Sequence, residues 1–462
     1  TPVLVLAADT QAGALRSNFR IDQHDLVASV GAIAERVYSA QSAAPDAARA
    51  LRRAALERRP VVLMLPIDLQ TEPVVGFIEG ARAVAIALPS APRPSRAAVQ
   101  AACDLIAAAR HPVIIAGRGA VLAQAREPVE SLGRRIGALL ATSAMANGLF
   151  TGLPYDLGIS GGFASSVAAE LVAQADLVIG FGVGLNHWTT RDGALIGEHT
   201  NVIQVDIEAD AIGAHRPVTL GIVGDVGSTA EAIDGELRRR GFSAKGTRDA
   251  ELEDRIATHR WCDEPYEDAG TERYIDPRTL SIELDRLLPS ERTVAVDSGH
   301  FLGYPAMYMP VPDARSWVFP NGFQAVGLGF GCAIGAAVAQ PQRITVAALG
   351  DGGLFMALGE LETAVRLGLR LLVVVYDDSA YGAEVHHFGP MGHDTSIVRF
   401  PESDLAAIAR GAGMRAATVR TVADLAVVSD WCRDGGAGPL LLDAKVNPEI
   451  CAAWLEEAFR AG

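Results

Sequence analysis

Lysine is almost missing from this chain. Only Lys245 and Lys445 occur in 462 residues, and arginine carries the rest of the basic charge. No GxxxxGK[ST] pattern is present, so a P-loop for nucleotide triphosphates is ruled out. Lys245 lies in a polar connector, and a Schiff-base mechanism would have to rest on Lys445, just after a strand-like run. Cysteine is also sparse. Cys103, Cys262, Cys332, Cys432 and Cys451 form no CxxC pair, which argues against a disulfide framework or zinc site and for a reducing, cytoplasmic compartment. No apolar run is long enough to span a bilayer, and the opening TPVLVLAADT lacks the basic start and long apolar core of a signal peptide. Positive charge is in deficit: 55 acidic against 40 basic residues leave a net charge of −15. Nucleic acid and anionic membranes are therefore excluded as general partners. An acidic protein that binds a phosphorylated ligand needs a cation between them.

With 49% hydrophobic and 21% charged residues, the chain can bury several cores. Apolar runs alternate with helix-period segments, which predicts an α/β fold: three consecutive doubly wound, mostly parallel-sheet domains, the first incomplete. The expected bounds are 1–75, 92–240 and 275–462. In the first block a buried strand is expected at 3–8, a helix at 46–59 and a strand at 61–66, the back half of an α/β domain. A proline-punctuated connector follows at 72–95. The second block predicts a helix at 95–110 capped by Ser95, strands at 112–117, 138–142, 177–181 and 202–206, and helices at 162–173 and 228–239. Its glycine pairs at 117–119 and 180–184 do not complete GxGxxG, because Leu122 and Leu185 take the last position. A nucleotide or flavin such as FAD in this block stays open, with no motif to support it. Residues 241–271 are polar and aperiodic and mark the next boundary. Asp276-Pro277 starts a helix over 277–287, followed by a strand at 293–297 and the turn Asp297-Ser298-Gly299-His300. A glycine-rich run at 321–339 comes next. Near the end, helices are expected at 403–412 and from Thr421, and strands at 415–419 and 439–444.

The densest chemistry lies between Gly350 and Gly382, in GDGGLFMALGELETAVRLGLRLLVVVYDDSAYG. An apolar run ends at Gly350-Asp351-Gly352-Gly353, a helix-period segment follows, and a second apolar run stops at Asp377-Asp378. This reads as strand, glycine turn, helix, strand, with an acid at the carboxyl end of each strand, where open parallel sheets bind ligands. Asp351 and Asp378, 27 residues apart across one turn of the chain, suit a hard divalent cation such as Mg2+ shared with phosphate oxygens. The glycines permit close backbone approach, and the following helix N-terminus favours a phosphate. Asp377 reads as a turn or cap residue.

These residues resemble the thiamine diphosphate and Mg2+ signature of the acetolactate synthase and benzoylformate decarboxylase superfamily, in which GDG precedes Asn-Asn. GFQAVGLGFGCAIGAA is similar to the family's glycine-rich segment, VDIEADAIG with GIVGD to the end of its middle domain, and RRPVVLMLPIDLQ to the end of its pyrimidine-binding domain. The resemblance implies thiamine diphosphate and Mg2+ as cofactors. Asp351, Asp378 and the carbonyl of Ala380 would hold the metal. Gly299, His300, Gly350, Gly352, Gly353 and Tyr381 would line the diphosphate side. The Gln324 carbonyl would accept from the aminopyrimidine, and Val326 would keep the cofactor bent. Glu384 would face the reacting carbon as a partly desolvated proton donor, with at most one of His386 and His387 turned the same way.

The implied activity is decarboxylation of a small-molecule 2-oxo acid with carboligation, in a homodimer or homotetramer with shared active sites. A non-ligating decarboxylase, a catalytically silent cofactor-binding homologue and a flavin- or nucleotide-binding oxidoreductase are the alternatives. Two departures stand out. Asp378 replaces the second asparagine and adds a negative charge that His300 or a helix dipole would have to offset. The family's catalytic glutamate belongs to the front half of the first domain, and Glu35 lies too late to match it.

Overall fold

A computed structural model describes residues 2–11, 13–74, 88–244, 248–320 and 325–458, with side chains up to residue 455. Lys245, Gln324 and much of the proline-punctuated connector lie outside the described residues. The chain divides into two compact units, Thr1–Ala91 and Pro92–Gly462.

The first unit carries a three-stranded parallel sheet. Its strands are β1 (Val3–Asp9), β2 (Ile33–Arg36) and β3 (Pro60–Pro66), in the order β1-β3-β2. The helix Ala43–Glu57 packs Ala50 and Ala54 against Ile33, Val61 and Leu63. The expectation of a buried first strand fails. Val3, Val5 and Leu6 are exposed, because β1 pairs only with β3 and this unit places little over its faces. Glu35 is ion-paired to Arg49 at 3.0 Å and to Arg53 at 2.7 Å. Burial would raise its carboxyl, but the two guanidinium groups hold it below the usual range.

The second unit contains two six-stranded parallel sheets. The first is built from β4 (Pro112–Ala116), β5 (Leu139–Thr142), β6 (Asp156–Ile159), β7 (Leu177–Phe181), β8 (Asn201–Asp206) and β9 (Leu220–Val223). Their order, β6-β5-β4-β7-β8-β9, is that of a doubly wound sheet. Ser95 caps the helix Arg96–Ala108 as expected, its hydroxyl accepting from the Ala98 N–H at 3.2 Å. That helix and Val226–Arg239 cover one face, while Ser166–Ala173 covers the other.

The second sheet is built from β10 (Arg292–Val296), β11 (Trp317–Val318), β12 (Ile344–Gly350), β13 (Leu371–Asp377), β14 (Arg415–Val419) and β15 (Leu440–Lys445). The order is β11-β10-β12-β13-β15-β14. All seven residues of β13 are buried, as expected for a central parallel strand covered on both faces. Three parallel-sheet α/β domains are therefore present, the first small. The register aligns Gly350 with Tyr376 and Asp377 with Lys445, so the acids that follow β12 and end β13 lie at one edge of the sheet.

Candidate active site

From β10 the chain moves outward to β11, then returns over the helix Leu328–Ala339 to β12 and continues in the opposite direction. The gap between the carboxyl ends of β10 and β12 is the topological switch point, where such sheets bind ligands. Asp297 stands on one side of it and Asp351 on the other.

Asp297 was expected only as part of a turn, and the structure gives it more to do. It is buried, and its carboxylate accepts from the Gly327 N–H at 2.9 Å and the Gly329 N–H at 3.0 Å, capping the helix Leu328–Ala339. Burial raises its carboxyl, and the backbone donors act against that rise. A Cβ at Gly329 would lie 2.4 Å from Asp297 Cβ, and one at Gly353 would lie 2.3 Å from its Oδ2. Two glycines far apart in sequence thus make room for one carboxylate. The clue was in the chain: like Asp351 and Asp378, Asp297 closes an apolar strand.

Asp351 is the buried first residue of the short helix Asp351–Met356, with Gly350 as its cap. Asp378 follows β13, and its Oδ1 accepts from the Ala380 N–H at 3.2 Å. Between them, Ser379 adopts a left-handed φ of +57°. Burial drives both carboxyls above their ordinary range. The Asp378 and Asp377 charges add to the effect at Asp351, and the Asp377 charge adds to it at Asp378. Two desolvated acids side by side require a cation if both are to ionise. No group of three or more histidine, cysteine or acidic side chains capable of holding a metal exists among the described residues. Asp351 and Asp378 offer oxygen donors only, the type that a hard divalent cation takes when water and phosphate complete its shell.

His300 is buried beside them, its Nδ1 3.6 Å from Asp378 Oδ2 and its carbonyl accepting from Trp454 Nε1 at 2.9 Å. Burial lowers its pKa to about 3, with a smaller contribution from His386. A neutral imidazole adds no positive charge beside Asp378, which leaves the helix dipole as the expected compensation. Gly382 lets the two groups meet: its Cβ would lie 2.2 Å from Asp378 Oδ2 and 2.6 Å from the His300 ring. Gly299 has φ +146°, and the Tyr381 ring lies where a Cβ on Gly352 would be, at 2.4 Å. Val326 is half-buried, with Cγ1 facing Gly353. Glu384 is exposed on the first turn of the helix Gly382–Phe388, so within this chain it lacks the partial desolvation expected of it. Of the two histidines that follow, His386 has its ring 5.1 Å from that of His300. Asp377 does hold a turn, accepting from the Ser379 N–H at 3.0 Å, but it is also ion-paired with Lys445. Burial disfavours the Lys445 charge, yet Asp377 and Asp443 keep the ammonium protonated, which is unsuited to a Schiff base.

In the middle sheet, Gly117 and Gly182 serve backbone packing, since a Cβ on Gly117 would lie 2.3 Å from the Gly182 carbonyl. Beside them, Ser143, Asn186, Trp188, Phe319 and Trp454 line a cavity of about 190 Å³. That is below the roughly 300–1,000 Å³ of an ordinary ligand cleft.

Comparison with known proteins agrees with this geometry. Residues 99–233 match the thiamine pyrophosphate enzyme central domain, and residues 297–444 match the C-terminal thiamine pyrophosphate-binding domain. A sulfoacetaldehyde acetyltransferase of Rhodobacter capsulatus is 31% identical over 440 residues, covering 89% of this chain and 73% of the relative. The acetolactate synthase large subunit of Haemophilus influenzae is 25% identical over 286 residues, covering 62% of this chain and 49% of its own. Among solved structures, a thiamine diphosphate-dependent 4-hydroxybenzoylformate decarboxylase of Rhodococcus jostii shares the fold. Its TM-score is 0.78 at 19% identity, covering 97% of this chain and 82% of that one. The chain spans 73% of the acetyltransferase named above and 52% to 65% of four further sulfoacetaldehyde acetyltransferases. The chain belongs to the thiamine pyrophosphate enzyme family.

Proposed function

We propose that this chain is a thiamine diphosphate- and Mg2+-dependent enzyme that decarboxylates a 2-oxo acid and transfers the remaining acyl unit to an acceptor, as acetolactate synthases do. The observation that carries the reading is the pair of buried carboxylates, Asp351 and Asp378, at the carboxyl ends of adjacent strands, both raised above the ordinary carboxylate range by burial. Asp351, Asp378 and the Ala380 carbonyl would hold the cation. Gly299, His300, Gly350, Gly352, Gly353 and Tyr381 would border the diphosphate, and Gln324 and Val326 the aminopyrimidine. Thiamine diphosphate, when bound, supplies a carbon nucleophile and an electron sink for decarboxylation. The chain's part is to orient the ketone, exclude water and deliver a proton, the last assigned to Glu384.

The functional blocks would be 1–75 for the pyrimidine side, 92–240 for the middle domain and 275–462 for the diphosphate side. Five cysteines scattered without a CxxC pair support a cytoplasmic location, and among the described residues no helix is long and apolar enough to cross a membrane. The relative acting on sulfoacetaldehyde makes that aldehyde an acceptor or product-side compound to test. CO2 release from a panel of 2-oxo acids, measured with and without an acceptor aldehyde, tests the proposal. Acceptor-dependent turnover is expected, whereas an acceptor-independent rate would favour the plain decarboxylase that a proton-donating Glu384 suits. Absence of any calorimetric signal with thiamine diphosphate and Mg2+ would favour a silent homologue.

A further inference from the structure

Behind the two candidate metal ligands lies a buried ion cluster that the proposed function does not use. Lys445, 3% exposed at the end of β15, places its ammonium against the carboxylates of Asp377 and, at 3.0 Å, Asp443. It also donates to the Ser403 carbonyl at 2.6 Å. Asp443 in turn accepts from the Leu405 N–H at 3.1 Å, tying the helix Leu405–Gly411 to the same point. A buried ammonium is retained at a large desolvation cost and persists only where carboxylates and carbonyls enclose it.

Asp377 is held from two sides. One oxygen takes Lys445, and the other accepts from the Ser379 N–H at 3.0 Å and the Ser379 hydroxyl at 3.2 Å. Those bonds close a turn in which Ser379 takes the left-handed conformation that residues other than glycine avoid. The turn delivers the Asp378 carboxylate and the Ala380 carbonyl. Its outer side is pinned by backbone bonds from Tyr381 to Val398 at 2.9 Å and from Phe400 to Ser379 at 2.8 Å. Its inner side depends on Asp377, and Asp377 depends on the lysine that the strand register sets opposite it.

We propose that Lys445 is a positioning residue: by clamping Asp377 it fixes the turn at 377–380, so that Asp378 and the Ala380 carbonyl stay aimed at one divalent cation. The inference rests on the reading of Asp351 and Asp378 as metal ligands. It also accounts for one of the only two lysines in a chain whose other basic side chains are arginine. A compact ammonium reaches two carboxylates and a carbonyl at a strand end, where a planar guanidinium needs more room.

The test is Mn2+ binding to the full chain without thiamine diphosphate, followed through the EPR signal of free Mn2+, with the urea unfolding midpoint measured alongside. Lys445→Met is expected to weaken Mn2+ binding by about 10- to 100-fold, the scale for partners that orient metal ligands. The double variant Asp377→Asn/Lys445→Met is expected to regain most of that loss, because an amide still accepts from Ser379 and no longer needs a cation. Unchanged Mn2+ affinity with a lowered midpoint in Lys445→Met would make the lysine merely structural and overturn the proposal. Tighter binding would also overturn it, since the lysine would then act only as a repelling charge. If Lys445→Met does not fold, the double variant decides: wild-type affinity supports positioning, and lost affinity in a folded double variant refutes it. A folded wild-type chain that takes up no Mn2+ would remove the metal-site reading itself, and the proposal with it.

Discussion

Asp351 and Asp378 tie the chemistry of the site to the stability of the fold. Burial first, and then neighbouring carboxylates, raise both groups above the ordinary carboxylate range. Without a cation the folded chain keeps protons there that the unfolded chain has already released. The folded state then binds more protons, so stability falls as pH rises through the raised pKa values. His300 works in the opposite direction, since burial lowers it to about 3 and stability is lost as pH falls below its unfolded value. Above about pH 6.5 that histidine contribution is complete, which leaves the carboxylates visible. Urea unfolding between about pH 6.5 and 8 should show a loss of about 1 kcal/mol or more in the metal-free chain. Saturating Mg2+ should flatten the slope, and Asp378→Asn should shrink it. A flat metal-free profile would mean that the carboxylates ionise freely, contrary to a site built for a cation.

At the scale of elements, the glycine-rich run is held in place by Asp297 more than by its own glycines. Asp297→Ala leaves the N–H groups of Gly327 and Gly329 without their acceptor and should cost about 1–3 kcal/mol. Thiamine diphosphate affinity, measured by calorimetry, should fall with it. Gly353→Ala should do similar harm by overpacking, about 1–3 kcal/mol, since its Cβ would lie 2.3 Å from Asp297 Oδ2. Ser95→Ala is the control: losing that cap should cost about 1 kcal/mol in the middle domain and leave cofactor affinity unchanged. The same elements show what a sequence can and cannot disclose. Strands such as β4, β7 and β13 were legible because uninterrupted apolar runs have no other place in a parallel sheet. The strands β6 and β9 were not, being four residues long with a glycine in each. The helix Arg126–Ile136 was hidden by Pro128 and Gly133, which read as breakers, and Ala250–Ala257 by the polar stretch around it. At the site, Asp351 and Asp378 could be found because each closes an apolar strand next to glycine or turn residues. The pairing of Asp377 with Lys445 could not, because 68 residues separate them and only the strand order brings them together.

For the whole molecule, the proposed homo-oligomer would have to form between copies of a chain carrying a net charge of −15. Like-charged surfaces repel, so association costs least through a face that has no charge. The helix Leu328–Ala339 offers one. It contains no ionisable side chain except Cys332, and it buries Phe330, Ala333, Ile334 and Ala337 while exposing Leu328, Gly331, Gly335 and Val338. Phe355 and Met356, on the next helix after β12, are also exposed. Gly331 and Gly335 have open space where a Cβ would stand, so nothing within the described chain requires them to be glycine. The proposed homodimer or homotetramer would use this face, with a second backbone lying close to the two glycines. Gly335→Leu separates the alternatives. Within a single chain the substitution enters open space and replaces a poor helix residue with a good one, a gain of about 0.5–1 kcal/mol. The unfolding midpoint of the monomer should therefore hold or rise. In the assembly the new side chain would wedge the copies apart, so sedimentation velocity should show a shift from oligomer to monomer, and turnover that depends on shared sites should disappear. A Gly335→Leu chain that stays oligomeric would place the interface elsewhere on the surface.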